Sequence, residues 1–242
     1  MLGALSSAAG MAQLDIISAG AAQSVVAQIA RDLSAGGGHE VRAGFGAVGA
    51  QKAKLLGGAP ADLVVLTRAM IDELLAAGQL AAGTARDLGS VGLGIAVPAG
   101  APWPDMTSVE KFRANIAAAR GIFLPDPEMA TAGIHLVKVL ERLGVRQQLA
   151  GRLRAYANGN AAMTALASAA EPLLLGITMV TEIKLVAGVE LVAPLPAELQ
   201  LATRYAGAVA ARSTNPGFAA EFLHLLTGPA ARPMLAAAGF EL

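Results

Sequence analysis

The sequence predicts an α/β protein with two Rossmann-like lobes joined by a two-strand hinge. From Leu14 onward, short β-branched or Leu-rich runs alternate with helical stretches of about ten to fifteen residues, which is typical of βα units around a largely parallel sheet. Two long extended runs lie beside Pro and Gly, one starting at Gly89 and the other at Val192, and they predict where the chain crosses between the lobes. Two helices are predicted after the second crossing. No further strand follows them, whereas an ordinary doubly wound domain would continue with another strand.

The individual elements follow from local patterns of apolar residues. Strands are predicted from short runs of branched or large apolar residues bounded by turn residues, at residues 14–18, 41–45, 63–66, 91–97, 121–124, 152–156, 173–178, 189–192 and 200–211. Helices are predicted from helical apolar spacing behind small or capping residues, at residues 21–34, 48–56, 69–77, 108–119, 131–143, 160–168, 216–226 and 229–238. This order assigns residues 14–92 and 199–242 to lobe 1, residues 93–198 to lobe 2, and residues 1–13 to a tail.

Composition excludes several classes of function. The chain has 18 basic and 18 acidic side chains without a basic cluster, so we expect no nucleic-acid partner. It has no Cys, which excludes thiol catalysis, disulfides and Cys-bound zinc. The most apolar stretch, residues 161–180, contains Glu171 and Pro172, so we expect no membrane insertion. No nucleotide-binding or nucleophile motif is present, and we expect a monomer with no cofactor and no metal.

The first residues predict export. Residues 2–12 are small and apolar, and Gly10 and Ala12 are spaced like a small-x-small cleavage site. A basic segment in front of them is missing. We interpret residues 1–13 as the remnant of an export signal, the alternative being a disordered Ala-rich tail, and the remnant predicts a periplasmic protein.

Several strand-to-helix turns are unusually small or polar, as a ligand site requires. Ligands of open α/β sheets bind beyond the carboxyl ends of the strands, where amides at helix starts face the crevice. Taken singly, each turn is also explained as an ordinary helix cap. Their recurrence in both lobes favours a ligand site that includes Ser18, Ala19, Ala47, Val48, Thr131, Ala132, Gly133 and Asn160.

Charged candidates lie near the same turns. Thr67 and Arg68 follow a strand directly, and a cleft-facing Arg can hold a carboxylate through two parallel hydrogen bonds. His135 lies in the first turn of a helix, outside its apolar stripe, where it could bind a ligand or move a proton. The alternatives are a solvated Arg and a surface His on a basic face shared with Lys138 and Arg142.

Long segments resemble a known family. "FGAVGAQKAKLLGGAPADLVVLTRAMIDELLAAGQL", "GLGIAVPAGAPWPD" and "DPEMATAGIHLVKVLERLG" are similar to periplasmic solute-binding proteins of the molybdate-binding type, and the similarity extends from Leu14 to the C-terminal helices. The resemblance implies a type II periplasmic binding protein fold that closes on a small anion and delivers it to an ABC permease. It also implies that helix-start amides hold the anion, including those of Met179 and Val180.

Departures from this family leave a second function open. The second loop has Ala47 and Val48 where the molybdate binders usually place a Ser, while Thr67, Arg68 and His135 suit a carboxylate. The same lineage includes aconitate isomerase. As an isomerase, the protein would hold a polycarboxylate with Arg68 and move a proton with a cleft group, for which the candidates are His135, Glu182 and Asp126.

Overall fold

The computed structural model describes residues 12–35 and 39–242, which form two lobes, each built on a five-stranded sheet. The strands are β1 (Ala12–Ala19), β2 (His39–Gly46), β3 (Leu63–Thr67), β4 (Arg86–Val91), β5 (Leu93–Pro98), β6 (Gly121–Pro125), β7 (Leu153–Tyr156), β8 (Leu174–Met179), β9 (Val189–Pro194) and β10 (Thr203–Val209). The helices are α1 (Gln23–Ala35), α2 (Val48–Leu56), α3 (Arg68–Ala76), α4 (Val109–Ala118), α5 (Thr131–Arg142), α6 (Gly159–Ala167), α7 (Val180–Leu185), α8 (Pro216–Thr227) and α9 (Arg232–Ala238).

The two sheets have the same topology. Their strand orders are β2-β1-β3-β10-β4 and β7-β6-β8-β5-β9. In each sheet the first three strands are parallel, and the fourth, β10 or β5, is antiparallel to both of its neighbours. β5 carries the chain into lobe 2 and β10 returns it to lobe 1. The predicted α/β fold of two lobes with a two-strand hinge is therefore confirmed.

The central strands form the cores of the lobes. Every residue of β3, β6 and β8 is buried. Such strands are covered on both faces, which explains why they appear in the sequence as continuous apolar runs. Their burial shows that these strands lie at the centre of each lobe.

The hinge strands are joined by a side chain. β4 and β5 are separated by Gly92, where the chain leaves one sheet and enters the other, so the single strand predicted at residues 91–97 is in fact two. The Gln200 amide pairs with both backbone groups of Leu93, accepting from its N–H at 2.7 Å and donating to its carbonyl at 2.9 Å. β10 begins only at Thr203, three residues after Gln200 and later than predicted.

Two further expectations differ from the structure or lie outside it. Sequence patterns did not predict α7, because six residues are too few to establish a helical repeat. Residues 1–11 of the predicted export remnant lie outside the described residues, whereas Ala12 and Gln13 already belong to β1. The lobe boundaries stay predictions. No helix within residues 12–35 and 39–242 is long and apolar enough to cross a membrane.

Candidate ligand-binding cleft

A narrow cleft lies between the lobes, where strand ends and helix starts of both sheets meet. Its cavity has a volume of about 20 Å³. Its lining residues are Ala19, Gly20, Ala21, Gly46, Ala47, Val48, Pro125, Ala130, Thr131, Ala132, Met179, Glu182 and Tyr205. A larger cavity of about 410 Å³ lies elsewhere on lobe 2, beside Pro98 and Leu173.

Four helix starts in the cleft have no side-chain cap. Within the described chain, the cap residues of α2, α5, α7 and the 3-10 turn before α1 make no side-chain cap hydrogen bond; they are Ala19, Ala47, Ala130 and Met179. Elsewhere in the described chain, side chains cap α3, α4 and α6, whereas α8 and α9 also lack a side-chain cap. The first N–H groups of a helix have no intrahelical acceptor and carry partial positive charge. Such convergent helix starts are suited to an anion.

Glu182 is a buried carboxylic acid in this cleft. Glu182 belongs to α7 and is 6% exposed to solvent. The Thr178 hydroxyl donates to its Oε2 at 2.5 Å. Burial raises the pKa of Glu182 above its ordinary value, and the hydrogen bonds from Thr178 and the amides of Met179 and Gly159 offset part of that rise.

Two glycines make room for this carboxyl group, one from each lobe. A Cβ at Gly20, in lobe 1, would lie 2.5 Å from Glu182 Oε1. A Cβ at Gly159, in lobe 2, would clash with Glu182 Oε2 and with Thr178 Oγ1. Glu182 is thus packed between the lobes in the closed form.

The structure brings about half of the sequence candidates to the cleft. The residues that line it are Ala19, Ala47, Val48, Thr131, Ala132, Met179 and Glu182. Ser18 is buried beside it, with its hydroxyl donating to the Ala19 carbonyl at 3.1 Å. The Val180 amide is committed elsewhere, since it donates to the Gly92 carbonyl at 3.0 Å. Position 133 requires glycine because a Cβ there would clash with the carbonyls of Pro125 and Asp126.

The charged and polar candidates make other contacts. Arg68 is held at the surface by Asp72 and Asp87, at 2.8 and 3.1 Å. Thr67 caps α3 by accepting from the Met70 amide.

The remaining candidates belong to local structure of lobe 2. His135 Nε2 lies 2.7 Å from the Leu199 carbonyl oxygen. Asn160 accepts from the Thr164 hydroxyl one turn later in α6. Asp126 Oδ1 accepts from the amides of Glu128 and Met129 at 2.8 and 2.9 Å and so forms the turn before α5.

Tyr205 is a cleft residue that the sequence did not indicate. It lies in β10 and is almost fully buried, and burial together with the nearby Glu182 carboxyl raises its pKa. A Tyr in an apolar strand looks like an ordinary core residue, so no local signal marks it. Among residues 12–35 and 39–242, no group of His, Asp or Glu is placed to hold a metal ion.

Comparison with known proteins agrees with the fold of two lobes. The family model described as "bacterial extracellular solute-binding protein" matches residues 14–241. The chain belongs to this family.

Two solved structures and one further relative are similar to this solute-binding protein. It is similar to the periplasmic molybdate-binding protein of Azotobacter vinelandii, with 21% identity and a TM-score of 0.79 over 95% of this chain and 99% of the other. It is also similar to a sulfate-binding protein of Mycobacterium tuberculosis, with 19% identity and a TM-score of 0.69 over 95% and 86% of the two chains. It is 28% identical over 184 residues to an aconitate isomerase of Pseudomonas sp, covering 75% of this chain and 68% of the isomerase.

Proposed function

We propose that this protein captures a small anion in the interlobe cleft and delivers it to an ABC permease outside the cytoplasm. The observation that carries the proposal is the convergence of four uncapped helix starts on one cleft. The helix dipoles and the remaining amides at these starts can offset the charge of an anion without a cationic side chain, although the Val180 and Gly49 amides already donate to backbone carbonyls. Solved structures with the same fold include proteins named for molybdate and sulfate binding, which supports the proposal.

Capture requires the lobes to move. Because the two lobes already contact each other beside the small cleft, an anion enters from solvent only after they separate. In the closed form the Gly49 amide of lobe 1 donates to the Met129 carbonyl of lobe 2 at 3.0 Å. Closure around the ligand by a two-strand hinge is the usual mechanism of such two-lobed binding proteins.

A panel of anions tests the proposal by thermal shift. Molybdate, tungstate, sulfate and phosphate are compared with citrate, cis- and trans-aconitate and simple dicarboxylates. An anion at about a hundred times its dissociation constant adds roughly 2.7 kcal/mol to the free energy of unfolding and raises the melting temperature by several degrees. A protein whose melting temperature responds to none of these anions would not be an anion-binding protein of this kind.

Substitutions at Thr131 test the role of the helix amides. Thr131 is the first residue of α5, a position that accepts Pro without loss of helix, and Ala130 before it is extended (φ −107°, ψ 131°), as Pro requires. We expect Thr131→Pro, which removes the amide N–H, to weaken anion binding by about tenfold, because a hydrogen bond to a charged group contributes about 1.5–3 kcal/mol. Thr131→Ala is the control, since it removes the hydroxyl and keeps the amide. Titration calorimetry measures both, and equal affinities for the two variants would contradict the role of this amide.

The buried Glu182 and the similarity to an aconitate isomerase favour a second candidate function. An allylic isomerase needs one group that removes a proton from carbon and returns it to another carbon as the double bond shifts. Glu182 is the cleft residue that could do so, while Arg68, with its surface ion pairs, would not hold the substrate in this conformation. The test follows conversion of trans- to cis-aconitate by ultraviolet absorbance. Turnover that Glu182→Gln abolishes would establish the isomerase.

A further inference from the structure

Glu182 lies in the proposed anion site without a compensating positive charge. Within the part of the chain that the structure describes, the cleft lining contains no Lys, Arg or His. The elements packed around the carboxyl group present the Thr178 hydroxyl from β8, the backbone at Gly159 from α6, and Gly20 from the opposite lobe. The other titratable group that the lining provides is the Tyr205 phenol, which is neutral at physiological pH.

An ionised Glu182 is incompatible with an anion bound next to it. Two like charges about 4 Å apart repel by roughly 4 kcal/mol at an effective dielectric constant of 20, and no cation in the described lining offsets this repulsion. A neutral carboxyl group has the opposite effect, because its O–H can donate a short hydrogen bond to an anionic oxygen.

We propose, resting on the proposed anion-binding function, that Glu182 is a ligand-binding residue. It enters the closed complex in its neutral form, and its O–H donates a hydrogen bond to an oxygen of the bound anion. The Thr178 hydroxyl already donates to Oε2, so Oε1 is the oxygen that carries the proton. Oε1 also lies on the side of Gly20, next to the uncapped helix start in lobe 1. Ligand capture then takes up one proton from solvent.

The proton uptake predicts how affinity depends on pH. In the open protein Gly20 moves away and water reaches Glu182, so its carboxyl group ionises more readily than in the closed complex. In the closed complex burial raises the pKa of Glu182. Because the complex holds the proton more tightly, affinity is highest at low pH. Between the two pKa values it falls by up to about tenfold per pH unit.

Titration calorimetry on the full chain tests this inference with sulfate, molybdate and trans-aconitate as the anions. In two buffers of different protonation enthalpy, we expect the wild type to take up protons when it binds the anion and its dissociation constant to rise with pH. Glu182→Gln keeps a neutral hydrogen-bond donor of the same size, so its dissociation constant should be independent of pH, with no proton uptake. Glu171→Gln is the matched control, because Glu171 pairs with Arg154 at the surface of lobe 2, and it should keep the wild-type pH dependence.

Two outcomes overturn the inference in different ways. Wild-type binding without proton uptake, or a Glu182→Gln variant that keeps the pH dependence, would overturn the role of Glu182 and leave anion binding intact. Wild-type protein that binds no anion at any pH would overturn the proposed function, and this inference with it.

Discussion

At the scale of single residues, Asp62 joins three segments of lobe 1. Its Oδ1 accepts from the Ser213 hydroxyl at 2.7 Å and from the amides of Thr214 and Asn215 at 2.9 and 3.2 Å. Its Oδ2 accepts from the Asp15 amide at 2.9 Å. Burial alone would raise the pKa of Asp62, but these hydrogen bonds outweigh it and lower the pKa below its ordinary value.

We expect Asp62→Asn to lower the free energy of unfolding by about 2–4 kcal/mol at neutral pH, because one carbonyl oxygen cannot replace a carboxylate that accepts five bonds, including one from the Thr214 hydroxyl. The stabilisation by Asp62 is present above the unfolded pKa of about 3.9 and is lost as pH falls through the lower folded pKa. The difference between wild type and variant should therefore shrink in acid. Urea unfolding at neutral and acidic pH measures it, with the exposed Asp32→Asn as control. A difference that is the same at both pH values would contradict this account.

At the scale of elements, α5 holds the second hinge crossing. His135 and Arg142 contact the carbonyls of Leu199 and Glu198, which belong to the 3-10 turn Ala197–Leu199. Helical periodicity places His135, Lys138 and Arg142 on one face. The structure uses that face for a contact between segments far apart in sequence, which periodicity does not reveal.

We expect His135→Ala to destabilise the protein by about 1 kcal/mol, the typical contribution of one hydrogen bond, and to leave anion affinity within about twofold of the wild type. Lys138→Ala, on the same face but exposed, should change neither quantity. Urea unfolding and calorimetry measure the two effects separately. A large loss of affinity in His135→Ala would place His135 back among the ligand-binding residues.

At the scale of the whole molecule, closure depends on a close contact between backbones. A Cβ at Gly49, the second residue of α2, would lie 3.0 Å from the Met129 carbonyl oxygen and 3.3 Å from the Met129 Cα, both in the opposite lobe. The glycine is therefore unfavourable for the helix but allows the lobes to meet.

We expect Gly49→Ala to have opposite effects on stability and binding. Ala is the better helix former and should add up to about 1 kcal/mol to the free energy of unfolding, while the closed form opens slightly and anion affinity falls several-fold. Gly217→Ala is the control, because Gly217 is the second residue of α8 and a Cβ there meets open space. It should gain stability without losing affinity. If both variants bind equally well, the contact between Gly49 and Met129 does not limit closure.

Sequence patterns predicted the α/β class, the order of nearly all elements, the exact bounds of α2, and the turns with small residues before the helices. These features depend on apolar periodicity and turn residues within short stretches of sequence, so they can be predicted from the sequence. The three-dimensional structure was needed to show which helix starts share a cleft, that Asp72 and Asp87 hold Arg68, and that His135 contacts the hinge crossing. It also placed Tyr205 beside Glu182, two residues from different lobes. Such pairings depend on how two sheets are positioned by the hinge, and contacts between residues distant in the chain leave no periodic trace in the sequence.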